Sequence, residues 1–84
     1  MCKENIIDAF KIVLSSNKPI RKAIYGNRPI PERIEDTLIT LSSINFADLL
    51  IDIEERLGLD FAEEFMTISK ITIGELAERI ADYA

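Results

Sequence analysis

Residues 42 to 58 read SSINFADLLIDIEERLG, and their apolar positions leave little choice of local structure. Phe46, Leu49, Leu50, Ile53 and Leu57 recur at spacings of three and four, which gathers them on one face of an α-helix. Ser42 or Ser43 supplies the hydroxyl that suits a helix start, and Gly58 suits the left-handed residue that closes a helix near Leu57. Such a helix is stable only if its stripe is covered, so the rest of the chain must provide matching faces.

Two other segments do so. Ile6, Ile7, Phe10, Val13 and Leu14 predict a helix from about Lys3 to Ser15, ended by the run Ser15 to Pro19. Ile73, Leu76, Ala77 and Ile80 predict a last helix opening at Thr72, where TIGE has the form of a capping box. A short helix fits after Gly58, near Ala62 to Met66. The connection from 18 to 41 holds Pro19, Pro29, Pro31 and Gly26, with helical turns expected around 31–36 and at 21–25. Ile34, Leu38 and Leu41 are expected to pin it to the core. No β pattern competes. The expected fold is all-α, a small four-helix bundle of three main helices and one short one, with a long first loop, as one domain over 1–84.

Composition narrows the function. The 84 residues suffice for one core, and 48% are hydrophobic. No apolar run approaches a membrane span, and Glu4 and Asp8 interrupt the first apolar stretch, against a secretory signal. Cys2 is the single cysteine, so no internal disulfide forms, in keeping with a cytoplasmic location. With no histidine and one cysteine, a zinc site has no ligand set, and no histidine general base can be assembled. The three glycines form no phosphate loop. No catalytic residue is therefore assigned, and the chain is not expected to be an enzyme. The net charge of −5 argues against nucleic acid as the main partner. The charges are also segregated. Residues 18–33 hold five bases (Lys18, Arg21, Lys22, Arg28, Arg33) and one acid, Glu32, whereas 34–66 hold nine acids and one base, Arg56.

The serine doublet has two readings. One serine is needed as a helix cap, worth about 1 kcal/mol. If Ser42 is that cap, Ser43 is the first helical residue, with its hydroxyl directed to solvent. A phosphate mounted there would lie in the positive field of the helix terminus. No base in the sequence activates that serine, so another enzyme would have to modify it.

SSINFADLLIDIEERLGLDF resembles the signature of acyl carrier proteins, in which a serine followed by Leu or Ile opens an acidic helix with a Leu-Glu-Glu-type end. Ser43 matches the serine that receives 4′-phosphopantetheine, Ile44 the apolar residue after it, and Ile53-Glu54-Glu55-Arg56-Leu57 the helix end, without a gap. AEEF and ITIGELAERI resemble the family's third and fourth helices, and the likeness covers about residues 38 to 82. Ser42 and Asn45 stand where the family commonly has acids. The resemblance implies a bundle of acyl-carrier-protein type. It further implies a non-catalytic carrier holding acyl, aminoacyl or peptidyl groups as thioesters on a covalent 4′-phosphopantetheine at Ser43. The pathways it implies are those of fatty-acid, polyketide or nonribosomal-peptide biosynthesis.

Partners implied in this way are a phosphopantetheinyl transferase and acyl-transfer or synthase enzymes with basic docking surfaces, meeting a monomer. Ile44, Asp48, Ile51, Asp52 and Glu55 are the docking candidates, with Glu54, Glu63 and Glu64 adding to the field. Ile51 falls off the buried stripe and among the acids, as an interface anchor would. The alternative is an unmodified acidic helical interaction module, in which Ser42 and Ser43 only cap the helix and the acidic face binds a basic partner; Thr72 is a helix cap in either reading.

Overall fold

A computed structural model describes residues 1–83. Among them are five helices and no strand: α1 (Lys3–Ser16), α2 (Lys18–Tyr25), α3 (Ser43–Leu57), α4 (Ala62–Phe65) and α5 (Ile73–Tyr83). The architecture is therefore all-α, with α1 packed on both α5 and α3 and α4 against α3. No helix among the described residues is long and apolar enough to cross a membrane. The three striped helices meet in one core, where Ile6, Phe10, Leu14, Leu49, Leu50, Ile53, Leu76 and Ile80 lose all contact with solvent. Among the described residues, no polar or charged side chain is buried with them.

The first loop differs from the sequence expectation at three points. A fifth helix, α2, occupies Lys18–Tyr25, where only a turn at 21–25 was expected. Pro19 ends α1 and also starts α2, because a proline near the first helical position lacks only an N–H that would be unpaired there anyway. Asn17 is the hinge. Its N–H donates to the Val13 carbonyl at 2.7 Å, closing α1, and its Oδ1 accepts from the Ile20 N–H at 3.3 Å, capping α2.

The helical turn expected around 31–36 is absent. A single turn closes from the Thr37 N–H to the Ile34 carbonyl at 3.0 Å, and the chain then runs extended. The cause lies in α5, whose first amides have no partner within their own helix. The Ile73 N–H donates to the Thr37 carbonyl and the Gly74 N–H to the Glu35 carbonyl, both at 2.9 Å. A helix over 31–36 would turn those carbonyls toward its own amides. The Ile39 N–H also donates to the Ile71 carbonyl at 2.9 Å, so residues 35–39 lie as a strap across the start of α5.

The third difference is Leu38. Ile34 is buried and Leu41 half-buried, but Leu38 is 46% exposed and Ile39 takes the core position at 4%. In an extended segment successive side chains point to opposite sides, so one residue of phase exchanges the two.

Both ends of α3 are fixed locally. Gly58 adopts φ 67° and ψ 30°, the left-handed closure, and the N–H groups of Gly58 and Leu59 both donate to the Glu54 carbonyl. The Glu54 carboxylate accepts from the N–H groups of Phe61 and Ala62, each at 2.8 Å, and so seats the start of α4. Glu54 is thus a structural acid rather than part of an open acidic field. These amides, Ala62 foremost, hold its carboxyl below the usual carboxylate range, against a smaller opposing effect of desolvation. A carboxylate whose folded pKa is depressed adds stability at pH above its unfolded pKa, and loses it as pH falls through the folded value. Glu54→Gln should therefore melt below the wild type at neutral pH, with the gap closing in acid below about pH 4. Melting curves across that range would discount this role for Glu54 if the gap stayed constant.

Candidate functional site at the start of helix α3

The two serines have different surroundings. Ser42 is the N-cap of α3, in extended backbone at φ −63° and ψ 162°, and its Oγ accepts from the Asn45 N–H at 3.2 Å. Its carbonyl accepts from the Phe46 N–H at 2.8 Å. Ser43 is exposed, and its hydroxyl has no hydrogen-bond partner among the described residues. The N–H groups of Ser43 and Ile44 also lack a partner among those residues.

The start of α5 is the internal comparison. There all four leading amides are engaged: Ile73 and Gly74 by the strap, Glu75 by the Thr72 hydroxyl at 3.1 Å, and Leu76 by the Thr72 carbonyl at 3.0 Å. The Thr72 hydroxyl in turn donates to the Glu75 carboxylate at 3.0 Å, so the reciprocal bond of the TIGE segment runs between side chains. α5 begins closed by the rest of the chain, while α3 begins open beside a free hydroxyl.

Ser43 lies at the edge of a cleft of about 470 Å³. Its apolar lining comes from three places: Ile39 and Leu41 before α3, Phe46 within it, and Met66, Ile68 and Ile71 between α4 and α5. Thr67 and Ser69 add hydroxyls on the side away from the strap. An anionic group on the Ser43 oxygen would meet two free amides and the positive end of a 15-residue helix. An apolar extension from that group would have a place to leave water.

Below Ser43, a solvent-facing stripe descends α3. Residues seven apart return to nearly the same side of a helix, so Ile44, Asp48, Ile51 and Glu55 share it. Ile44 is 75% exposed and Ile51 38%, and both acids are open to solvent. The stripe from Ser43 to Glu55 runs about 18 Å along the axis.

Asp52 does not belong with them. It is half-buried, and its Oδ2 accepts from the Asn17 side-chain amide at 2.9 Å, tying α3 to the junction of α1 and α2. Asn17 itself was overlooked in the sequence, although Asn-Lys-Pro is a recognisable helix start, a capping residue followed by an early proline. The cleft had no comparable signal, because its walls come from segments separated along the chain. Comparison with known protein families, with curated proteins and with solved structures finds no match, so any functional reading of this site rests on the chain's own residues.

Proposed function

We propose that this protein is a carrier of acyl-carrier-protein type, modified by 4′-phosphopantetheine on Ser43. The observation that carries this reading is the open start of α3, with an exposed, unbonded serine hydroxyl beside two unpartnered amides and an apolar cleft. Ser42 caps the helix, which leaves Ser43 free of any structural duty. When bound, the group supplies a thiol that holds acyl, aminoacyl or peptidyl cargo as a thioester. The chain's own residues do the rest by placement. The Ser43 and Ile44 amides receive the anionic linkage, and the cleft shelters an apolar chain near Ser43. Catalytic groups come from partner enzymes, which gain cargo at high effective concentration.

Intact-mass measurement tests the reading. Apo protein incubated with coenzyme A and several phosphopantetheinyl transferases should gain the mass of one phosphopantetheine, and peptide mapping should place it on Ser43. Failure with every transferase, together with an unmodified mass in protein from its native cell, would leave the unmodified interaction module as the better reading.

The α3 stripe is the docking surface in this proposal. Asp48 and Glu55 steer partners bearing Arg and Lys, and Ile44 and Ile51 supply the apolar contact. Reversing both acids to Lys should slow transferase loading roughly tenfold at low salt, with the deficit shrinking as salt is added. Ile51→Ala should slow it roughly tenfold with little dependence on salt. Initial loading rates across a salt series separate the two effects. Asp52, held by Asn17, is expected to contribute through the fold instead.

A further inference from the structure

The bases of residues 18–33 have no part in the reading of Ser43. Lys18, Arg21, Lys22 and Arg28 make no ion pair among the described residues, where the single salt bridge joins Arg33 to Glu35 at 2.9 Å. A chain with 15 acids and 10 bases thus leaves four neighbouring cations without a partner. Lys18 lies apart, in a cleft shared with Asp52 and Glu55, whereas Arg28 lines a groove of about 500 Å³ between α2 and the strap, together with Ile24, Tyr25, Pro29, Thr37 and Leu38 among others. The Tyr25 and Thr37 hydroxyls share a hydrogen bond of 2.8 Å across its base. Arg28 is held at the rim by a bond from its Nε to the Tyr25 carbonyl. Arg21 precedes Ile24 by three residues, on the same side of α2.

The strap adds a second, independent feature. The bonds from Ile39 to Ile71 and from Ile73 to Thr37 flank Leu38 and Thr72, which face each other as an antiparallel pair. In that pairing the N–H and C=O of Leu38 point away from Thr72. Neither has a hydrogen-bond partner among the described residues. The strap therefore presents one free peptide edge and an exposed leucine beside a groove of mixed polar and apolar lining, with Arg28 in its wall.

We infer that this groove docks an extended, acidic segment of a partner protein. The segment adds to the strap at Leu38 by backbone hydrogen bonds, sets an apolar side chain into the groove, and pairs its acids with Arg28 and Arg21. A free N–H and C=O pair on an extended segment is complementary to another extended peptide backbone, and the net charge of −5 disfavours a nucleic acid there. The apolar residues Ile20 and Tyr25 of α2 are buried, so that helix has no face to insert into a membrane. This surface acts whether or not Ser43 is modified.

Amide NMR titration with a short synthetic glutamate-rich peptide carrying one central leucine tests the inference. Saturable shifts should appear at Ile24, Leu38 and Thr40 and leave the α3 stripe unmoved. Methylating alternate backbone nitrogens of the peptide should abolish them, and replacing its leucine by alanine should weaken them. Arg21→Gln with Arg28→Gln should weaken binding roughly tenfold at low salt and less at high salt. Ser43→Ala protein should bind as the wild type does, which separates this surface from the carrier reading. Absence of saturable shifts, shifts confined to α3, equal binding of the methylated peptide, or concentration-dependent shifts at the same amides without peptide would each overturn it.

Discussion

Ser43→Ala protein should gain no mass on incubation with a phosphopantetheinyl transferase and coenzyme A, whereas Ser42→Ala protein should still be loaded. The two residues are neighbours in sequence but differ in hydrogen bonding at the start of α3. The Ser42 oxygen is committed to the Asn45 amide, and its loss leaves that donor to water at a cost of about 1 kcal/mol. The Ser43 oxygen is committed to nothing among the described residues, so its removal should leave the thermal midpoint close to that of the wild type. The expected pattern is a double dissociation, with stability lost at position 42 and modification lost at position 43. Loading of Ser43→Ala, or equal loss of loading in both variants, would sink the assignment.

The largest expected effect on stability is at Phe10. Its ring is wholly buried on α1, the helix that packs against both α3 and α5. Truncation to alanine removes the transfer free energy of the ring and leaves a cavity that neighbours only partly fill, about 3–5 kcal/mol together. A domain of 84 residues has a total stability on the order of 4–13 kcal/mol. Phe10→Ala should therefore lower the melting midpoint by more than about 12 °C. Urea unfolding followed by far-UV circular dichroism gives the free energy directly. A loss below about 1 kcal/mol would mean that the core does not depend on α1 in this way.

What could be seen in advance follows from how local each cause is. α1, α3 and α5 each carry an uninterrupted apolar stripe, a property of consecutive residues, and each forms close to its expected bounds. α2 was seen only in part, because a proline at its start and bases along it read as loop. The shape of 31–39 is set by amides of α5 some 35 residues later in the chain, which no local pattern reports. The site divides in the same way. A serine cap at 42 or 43 and the outward position of Ile51 were visible from spacing, whereas the choice of Ser43 as the mount came from the family resemblance. The partnerships of Asp52 with Asn17 and of Glu54 with α4 were not, since acids at helical intervals look alike until the fold turns some of them inward.

The bond between Ile39 and Ile71 also has a consequence for capacity. Both residues line the cleft beside Ser43, so the strap that closes the start of α5 also clamps two of its walls together. Those walls separate only if the strap peels from α5, which would strand the amides of Ile73 and Gly74. Among the described residues, no backbone hydrogen bond between distant segments clamps the side of Met66, Thr67 and Ser69 in the same way. In the carrier reading proposed above, the strap would be the fixed wall, and the turn after α4 the side able to yield to a larger acyl chain.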